Sequence, residues 1–431
     1  MCFYFKSIHI SRFTKVRIIF HKKSIESDKK SVSSFPEKIN HKMKLRTSLI
    51  LACAALLLAV SCKNTPSKKT VLTQEETDAI EAQLSQMTLR EKVGQLFTVR
   101  PEAMCPELEA SGQGMYTYKL QTVTEGMVER SQVYPVGGYT LFAHNIDNPE
   151  QLKSFTAALH ALPGEPLLSV DEEGGRVARI ANNDHFDVPR YASMAAVGAT
   201  GDPANAHESG KAIGTYLKEY GFDIDFAPDA DVNTNPENVV IGDRAFSNDP
   251  KVAAPMVVSY MEGLEEAGVV GCLKHFPGHG DTRGDTHTGY VQSDKNWKQM
   301  SACEMVTFKA GIKAGARMIM TAHIAAPEVT GSELPSTLSP IILQDKLRKE
   351  LGYTGIIITD ALGMGAISQH YTSAEAAVKC IEAGADILLM PQSLPEAFEA
   401  VVAAVEDGTI PQARIDESVR RILTLKYSLK K

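Results

Sequence analysis

Val269-Val270-Gly271-Cys272-Leu273-Lys274-His275-Phe276-Pro277-Gly278-His279-Gly280-Asp281 joins an apolar run to a dense polar cluster. The first five residues read as a buried strand. Pro277, Gly278, Gly280 and Gly284 exclude a helix beyond it, so the polar groups from Lys274 onward are expected on a loop. Asp285-Thr286-His287 follows within four residues. Polar groups at the C-terminal end of a buried strand are the usual place for chemistry in α/β enzymes. A solvated loop is the plainer alternative, but such loops rarely gather so many titratable groups behind a buried strand.

The same pairing of apolar run and polar end recurs along the chain. Runs rich in β-formers lie at Gly94–Val99, Val136–Phe142, Leu167–Val170, Phe222–Ala227, Val269–Leu273, Ala316–Thr321, Gly355–Thr359 and Ala385–Met390. Helical patterns separate most of them, at Pro149–His160, Ala204–Tyr220, Asp249–Ala267, Glu304–Ala314, Pro340–Leu351 and Ala374–Ala383. Two more, Leu394–Glu406 and Ile415–Ser428, close the chain. Buried parallel strands alternating with helices predict βα units. About eight units over roughly 340 residues predict a (β/α)8 TIM-type barrel as a single catalytic domain over residues 74–431. A doubly wound open sheet is the alternative. Asp171, Asp229, Lys274-His275, His323 and Asp360 each sit at or just beyond the C-terminal end of a different run. In a closed barrel those ends converge on one mouth; in an open sheet only those at a switch point meet.

Composition is that of a globular protein, with 43% hydrophobic and 23% charged residues. The net charge of −7 is uneven: residues 1–61 hold twelve Lys/Arg against three Asp/Glu, so residues 62–431 carry −16. An acidic body without a basic stripe argues against a nucleic-acid partner. The basic end reads as a targeting device. Met43-Lys44-Leu45-Arg46 precedes an apolar run to Val60 that is too short to span a membrane and suited to a secretory signal. It ends in Leu58-Ala59-Val60-Ser61-Cys62, which resembles a bacterial lipobox with Ala59 in place of the usual Leu. The expected division is an N-terminal extension (1–42), a lipoprotein signal peptide (43–61) with lipidation at Cys62, and a polar linker (62–73). The membrane is then met only through that anchor. Cys105, Cys272, Cys303 and Cys380 show no CxxC pairing or zinc spacing, and Cys272 is expected in the core.

Several residues carry candidate chemistry. Asp360 ends Gly355-Ile356-Ile357-Ile358-Thr359, where it can act as nucleophile, base or helix cap. In an extended segment Asp285 and His287 point the same way, so the carboxylate can orient the imidazole as a proton donor. Asp171-Glu172-Glu173-Gly174-Gly175-Arg176 lacks any phosphate-loop pattern, and Asp171 can bind hydroxyl groups. His275 and His279 are four apart, but Pro277 and Gly278 prevent the helix that would align them on zinc. No metal or organic cofactor is expected.

KHFPGHGDTRGDTH (274–287), DEEGGRVAR (171–179), FAPDADVNTNP (226–236), IGDRAF (241–246) and TDALGM (359–364) together resemble the family-three glycoside hydrolases, in their β-N-acetylglucosaminidase branch. The resemblance spans about residues 85–425. It implies a retaining double displacement with Asp360 as nucleophile, His287 as acid/base and Asp285 as its partner. Asp171, Arg179, Arg244, Lys274 and His275 would hold the sugar. Glu172 stands where many relatives have Gln. The irregular segment 101–135 is expected to shape the substrate rim. The implied partner is a carbohydrate with a terminal, non-reducing β-linked N-acetylglucosamine. A phosphorylase with the same residues, a β-glucosidase of the same family, and a non-catalytic sugar-binding lipoprotein are the alternatives.

Overall fold

The computed structural model describes residues 72–111 and 118–430. The expected leader, Cys62 and most of the linker lie outside the described residues. Eight parallel strands run in sequence order: β1 (Phe97–Val99), β2 (Gly138–Leu141), β3 (Leu167–Val170), β4 (Ile224–Asp225), β5 (Val270–Phe276), β6 (Met318–Thr321), β7 (Ile356–Thr359) and β8 (Leu388–Leu389). Each pairs with the next from β1 to β7, and β8 pairs with β1. A parallel bridge between Ile358 and Ile387, with Thr359 N donating to Ile387 O at 3.0 Å, closes the ring between β7 and β8. The arrangement is a (β/α)8 barrel, and the open-sheet alternative is excluded by that closure.

Helices α1 (Gln74–Gln86) and α2 (Leu89–Gln95) precede β1, and α3 (Glu125–Val133) precedes β2. Then α4 (Pro149–His160), α5 (Pro203–Glu219), α6 (Pro250–Glu266), α7 (Glu304–Ala314), α8 (Ile341–Glu350) and α9 (Ser373–Ala383) follow strands β2 to β7 in turn. The chain ends in α10 (Leu394–Glu406) and α11 (Gln412–Leu429). Three of these helices start the same way: Asn148, Asp202 and Asp249 cap the first free N–H groups, each followed by a proline whose missing N–H costs nothing there. Such a cap contributes about 1 kcal/mol. Glycines let α5 and α6 approach closely, since a Cβ on Gly210 would fall 2.1 Å from Tyr260 O and one on Gly263 would fall 2.2 Å from His207 O.

The structure departs from the sequence reading in several places. Gly94 and Gln95, expected at the start of the first strand run, close α2 instead. Lys274 and His275 lie inside β5 rather than on a loop, because Ala230 N donates to Lys274 O at 2.6 Å and Ala322 N to Phe276 O at 2.7 Å. A polar strand end is tolerated here since buried carboxylates face both side chains. Asp285-Thr286-His287 forms a turn rather than an extended segment. The runs expected at 222–227 and 385–390 are laddered only over two residues each; Met390, at φ 49°, turns the chain out of β8. Helix α8 is wound as a π-helix over Ile341–Glu350 and closes with an i→i+5 bond, Leu351 N to Lys346 O at 2.9 Å. Cys272 is fully buried, as expected.

Candidate active site

The C-terminal strand ends surround a cavity of about 880 Å³ lined, among others, by Asp171, Arg244, Lys274, His275, His287 and Asp360. Arg179 and Asp285 also line it, so all eight residues expected from the sequence meet in one place. Arg100 and Ala103, from the irregular segment after β1, contribute to its wall.

Its floor is an ion network. Lys274, only 2% exposed, donates from Nζ to Asp171 Oδ1 at 2.8 Å and reaches Glu173 Oε1 at 2.6 Å. Arg244 grips Glu173 with both arms, Nη2 to Oε1 at 2.7 Å and Nε to Oε2 at 2.8 Å. Arg179 Nη2 reaches Asp171 Oδ2 at 3.3 Å. Burial alone would raise the carboxyl groups; Lys274 and Arg179 hold Asp171, and Arg244 and Lys274 hold Glu173, below the usual carboxylate range. Glu173 is a centre of this network that the sequence reading did not single out. Glu172 plays a different part. Its carboxylate accepts the Arg179, Ile180 and Ala181 N–H groups and the Tyr216 hydroxyl, which shapes the loop that presents Arg179.

His275 sits between opposite charges. Nδ1 lies 2.7 Å from Asp231 Oδ2, and Nε2 lies 3.3 Å from Arg244 Nη2. Arginine only donates, so Nε2 accepts and Nδ1 carries the proton. Burial and Arg244 push the imidazole down to about 4, and it is neutral at pH 7. Asp229, Asp231 and His275 bring three possible ligand atoms within 4.8 Å of one another. Asp231 already accepts from His275 and from the His279 N–H, and Arg244 Nε stands 3.6 Å from Asp229 Oδ2. A guanidinium thus already lies beside Asp229, and Asp231 is committed to imidazole and backbone donors, an arrangement that suits a hydrogen-bonded scaffold. Burial and Asp231 raise Asp229 to about 7. The Asp229-Ala230-Asp231 repeat, a few residues beyond β4, was the available sequence signal for this pair.

Asp360 follows β7. Its N–H donates to Thr321 O at 3.0 Å, and its Oδ1 accepts the Ala361 N–H at 2.7 Å. Burial pushes this carboxyl up; His323, His275, the Ala361 N–H and His287 outweigh it, so the group is held ionised below the usual range. His323, buried after β6, bonds Ala361 O at 2.9 Å and Thr337 Oγ1 at 2.9 Å, and so braces the backbone beside Asp360. The sequence placed His323 at a strand end without assigning it this role. The helix-cap alternative for Asp360 fails, since Met364 precedes the short helix Gly365–Ser368.

Asp285 and His287 face each other within their turn. Asp285 Oδ1 accepts the His287 N–H at 2.9 Å and lies 2.7 Å from His287 Nδ1. The pairing expected from their spacing therefore forms, by a turn in which one carboxylate oxygen serves both nitrogens. His287 and Asp285 side chains are 66% and 42% exposed. Burial raises the Asp285 carboxyl, but the two bonds from His287 outweigh it and keep it ionised. With Nδ1–H turned to a carboxylate, Nε2 is the nitrogen left for the cavity. A nucleophile-grade carboxylate, an oriented imidazole and a charged hydroxyl-binding floor can together carry out acetal chemistry.

Residues 88–425 match the family model described as the glycosyl hydrolase family 3 N terminal domain. The chain is 36% identical over 336 residues to β-hexosaminidase A of Pseudoalteromonas piscicida, covering 72% of this chain and 56% of the relative. It is 36% identical over 274 residues to a β-hexosaminidase of Stenotrophomonas maltophilia strain K279a, covering 62% and 80%. A solved family 3 β-N-acetylglucosaminidase from Paenibacillus sp. FPU-7 superposes with a TM-score of 0.72 at 35% identity, covering 80% of this chain and 64% of that one. The chain thus spans less than two thirds of the first of these relatives and of the solved structure.

Proposed function

The chain belongs to glycosyl hydrolase family 3, and on that premise we propose that it is a retaining exo-β-N-acetylglucosaminidase. The observation that carries the reading is the pairing, in one cavity, of an ionised Asp360 with a His287 oriented by Asp285.

In the first step Asp360 attacks the anomeric carbon as the bond to the leaving oxygen breaks. His287 delivers its Nε2 proton to that oxygen, and Asp285 keeps the other nitrogen fixed. In the second step neutral His287 takes a proton from water, the water oxygen bonds to the anomeric carbon, and Asp360 leaves as a carboxylate. Retaining enzymes ordinarily pair two carboxyl groups. An imidazolium donor loses charge on giving its proton, whereas a carboxylic acid gains negative charge, so the site is less anionic when the leaving group departs. Asp171, Arg179, Arg244, Lys274 and His275 offer the polar groups that would grip the sugar and its acetamido group.

The natural substrate proposed is a peptidoglycan fragment or another glycan with terminal β-linked N-acetylglucosamine. The chain is proposed to be exported and tethered through acylated Cys62, on the strength of the apolar run and lipobox-like end alone. A Cys62→Ser variant that still incorporates a palmitate analogue would count against the tether.

Turnover of an aryl β-N-acetylglucosaminide, with and without phosphate, tests the activity. Free N-acetylglucosamine in both buffers supports hydrolysis. A sugar 1-phosphate formed with phosphate would make the protein a phosphorylase.

A further inference from the structure

Of the Asp285–His287 turn only Thr286 is buried; the two functional side chains are half-exposed or more, so their own burial does little to hold it. It is held instead through its carbonyl groups. Ala366 N donates to Thr286 O at 3.1 Å, Gly365 N to His287 O at 3.1 Å, and Gln369 Nε2 to Thr288 O at 3.1 Å. Three successive carbonyls of the turn thus dock on the short helix Gly365–Ser368 and its C-cap residue Gln369, a unit that begins five residues after Asp360.

That helix is fixed to the barrel. Leu362 N donates to Leu389 O at 2.8 Å and Gly363 N to Met390 O at 3.0 Å, so the strip between Asp360 and Gly365 is pinned along the end of β8. Close approach of the turn needs a glycine, because a Cβ on Gly365 would lie 2.8 Å from His287 O and 2.8 Å from Gln369 Nε2. On its other side the turn is tied more weakly, by Thr286 Oγ1 at 3.4 Å from His279 Nε2.

We infer that Gln369 and Gly365 are positioning residues for the acid/base turn, setting His287 at its working distance from Asp360 through the short helix that follows the nucleophile. The inference rests on the glycosidase reading above. Neither residue touches the reacting atoms. Gln369 acts through the Thr288 carbonyl, and Gly365 acts through that of His287.

Leaving-group dependence separates positioning from general loss of structure. A 2,4-dinitrophenyl leaving group departs without protonation, whereas a phenyl leaving group needs the acid. Gln369→Glu replaces the N–H donor at an exposed position with an oxygen that Thr288 O repels; Gly365→Ala crowds the turn directly. In both variants kcat/KM for the phenyl β-N-acetylglucosaminide is expected to fall about tenfold or more, with that for the dinitrophenyl substrate within about twofold of the parent. Azide, which attacks the glycosyl-enzyme without a base, should raise kcat of the variants on the dinitrophenyl substrate. Equal losses on both substrates, or no loss on either, would overturn the inference while leaving the glycosidase reading intact. A parent protein that cleaves neither substrate would overturn that reading, and this inference with it.

Discussion

Lys274 Nζ lies 2.6 Å from Glu173 Oε1, and both side chains are almost wholly buried. The pair joins two strand ends: Lys274 lies near the end of β5 and Glu173 follows β3. Burial of either charge alone would cost several kcal/mol, so each is tolerated in the barrel because of the other, with Asp171 adding to the balance at Lys274 and Arg244 at Glu173. Glu173 thereby holds two cations at the cavity floor where a neutral sugar would be bound.

Glu173→Gln removes the shared counter-charge of Lys274 and Arg244. Lys274 would then keep Asp171, and Arg244 only the more distant Asp229 at 3.6 Å, as counter-charges. Loss of one partner from a buried pair costs about 3–5 kcal/mol. Urea unfolding is expected to show a destabilisation of that order, together with a raised KM for aryl glycosides. A variant as stable as the parent would show that the network does not hold the floor together.

Asp285→Asn keeps the shape of the turn but replaces an anionic acceptor with an amide that can present either oxygen or nitrogen to His287 Nδ1. The imidazole loses its fixed tautomer. General acid–base catalysis supplies about 10²–10⁴ in rate, and kcat/KM on a poor leaving group should fall within that range. Activity within a few-fold of the parent would remove Asp285 from the mechanism.

His275 gives the fold a pH dependence on the acid side. Its folded value is about 4, against an ordinary histidine value of 6.5. Above pH 6.5 neither folded nor unfolded chain binds this proton. Between pH 6.5 and 4 the unfolded chain binds it and the folded chain does not, so stability falls as pH falls, by up to about 3 kcal/mol. His275→Gln can still donate to Asp231 and accept from Arg244 without titrating. The variant should lose less melting temperature than the parent between pH 7 and pH 4.5. Parallel decline in the two proteins would contradict a neutral buried His275.

Lys426 does the same on the basic side. It lies in α11, 5% exposed, with Nζ donating to Gln95 Oε1 at 2.6 Å and Gly164 O at 2.8 Å. Burial depresses it to about 7, from 10.5. Between those values the unfolded chain carries a proton that the folded chain lacks, so its contribution raises stability as pH climbs from 7 toward 10.5. Thermal unfolding at pH 7.5 and pH 9.5 should show the parent gaining on a Lys426→Met variant with rising pH. A constant difference between the two would show that Lys426 stays charged in the fold.

Much of this was legible in the residues. Eight apolar runs predict the barrel, and the five that lead into Asp, Lys-His or His predict its mouth, because strand period and strand-end chemistry are local properties. The Asp285–His287 pairing was legible from spacing, although the backbone that achieves it is a turn. What the sequence concealed depended on partners distant along the chain. Lys274 reads as a loop residue until Asp171 and Glu173, about a hundred positions earlier, compensate its charge in the strand. Glu173 and Asp231 looked like ordinary acidic residues because their role is to face Arg244 and His275 across the mouth. The docking of the turn on Gly365 and Gln369 uses backbone carbonyls, which leave no mark in residue type.

Asp360 is the residue proposed to form a bond to the anomeric carbon. A 5-fluoro analogue of N-acetyl-β-glucosaminyl fluoride slows breakdown of such an intermediate more than its formation. Incubation followed by peptic digestion and mass spectrometry should find the sugar on the peptide containing Asp360, with no label in an Asp360→Asn variant. Label on a different carboxylate, or turnover of the analogue by the Asp360→Asn protein at the parent rate, would contradict the account.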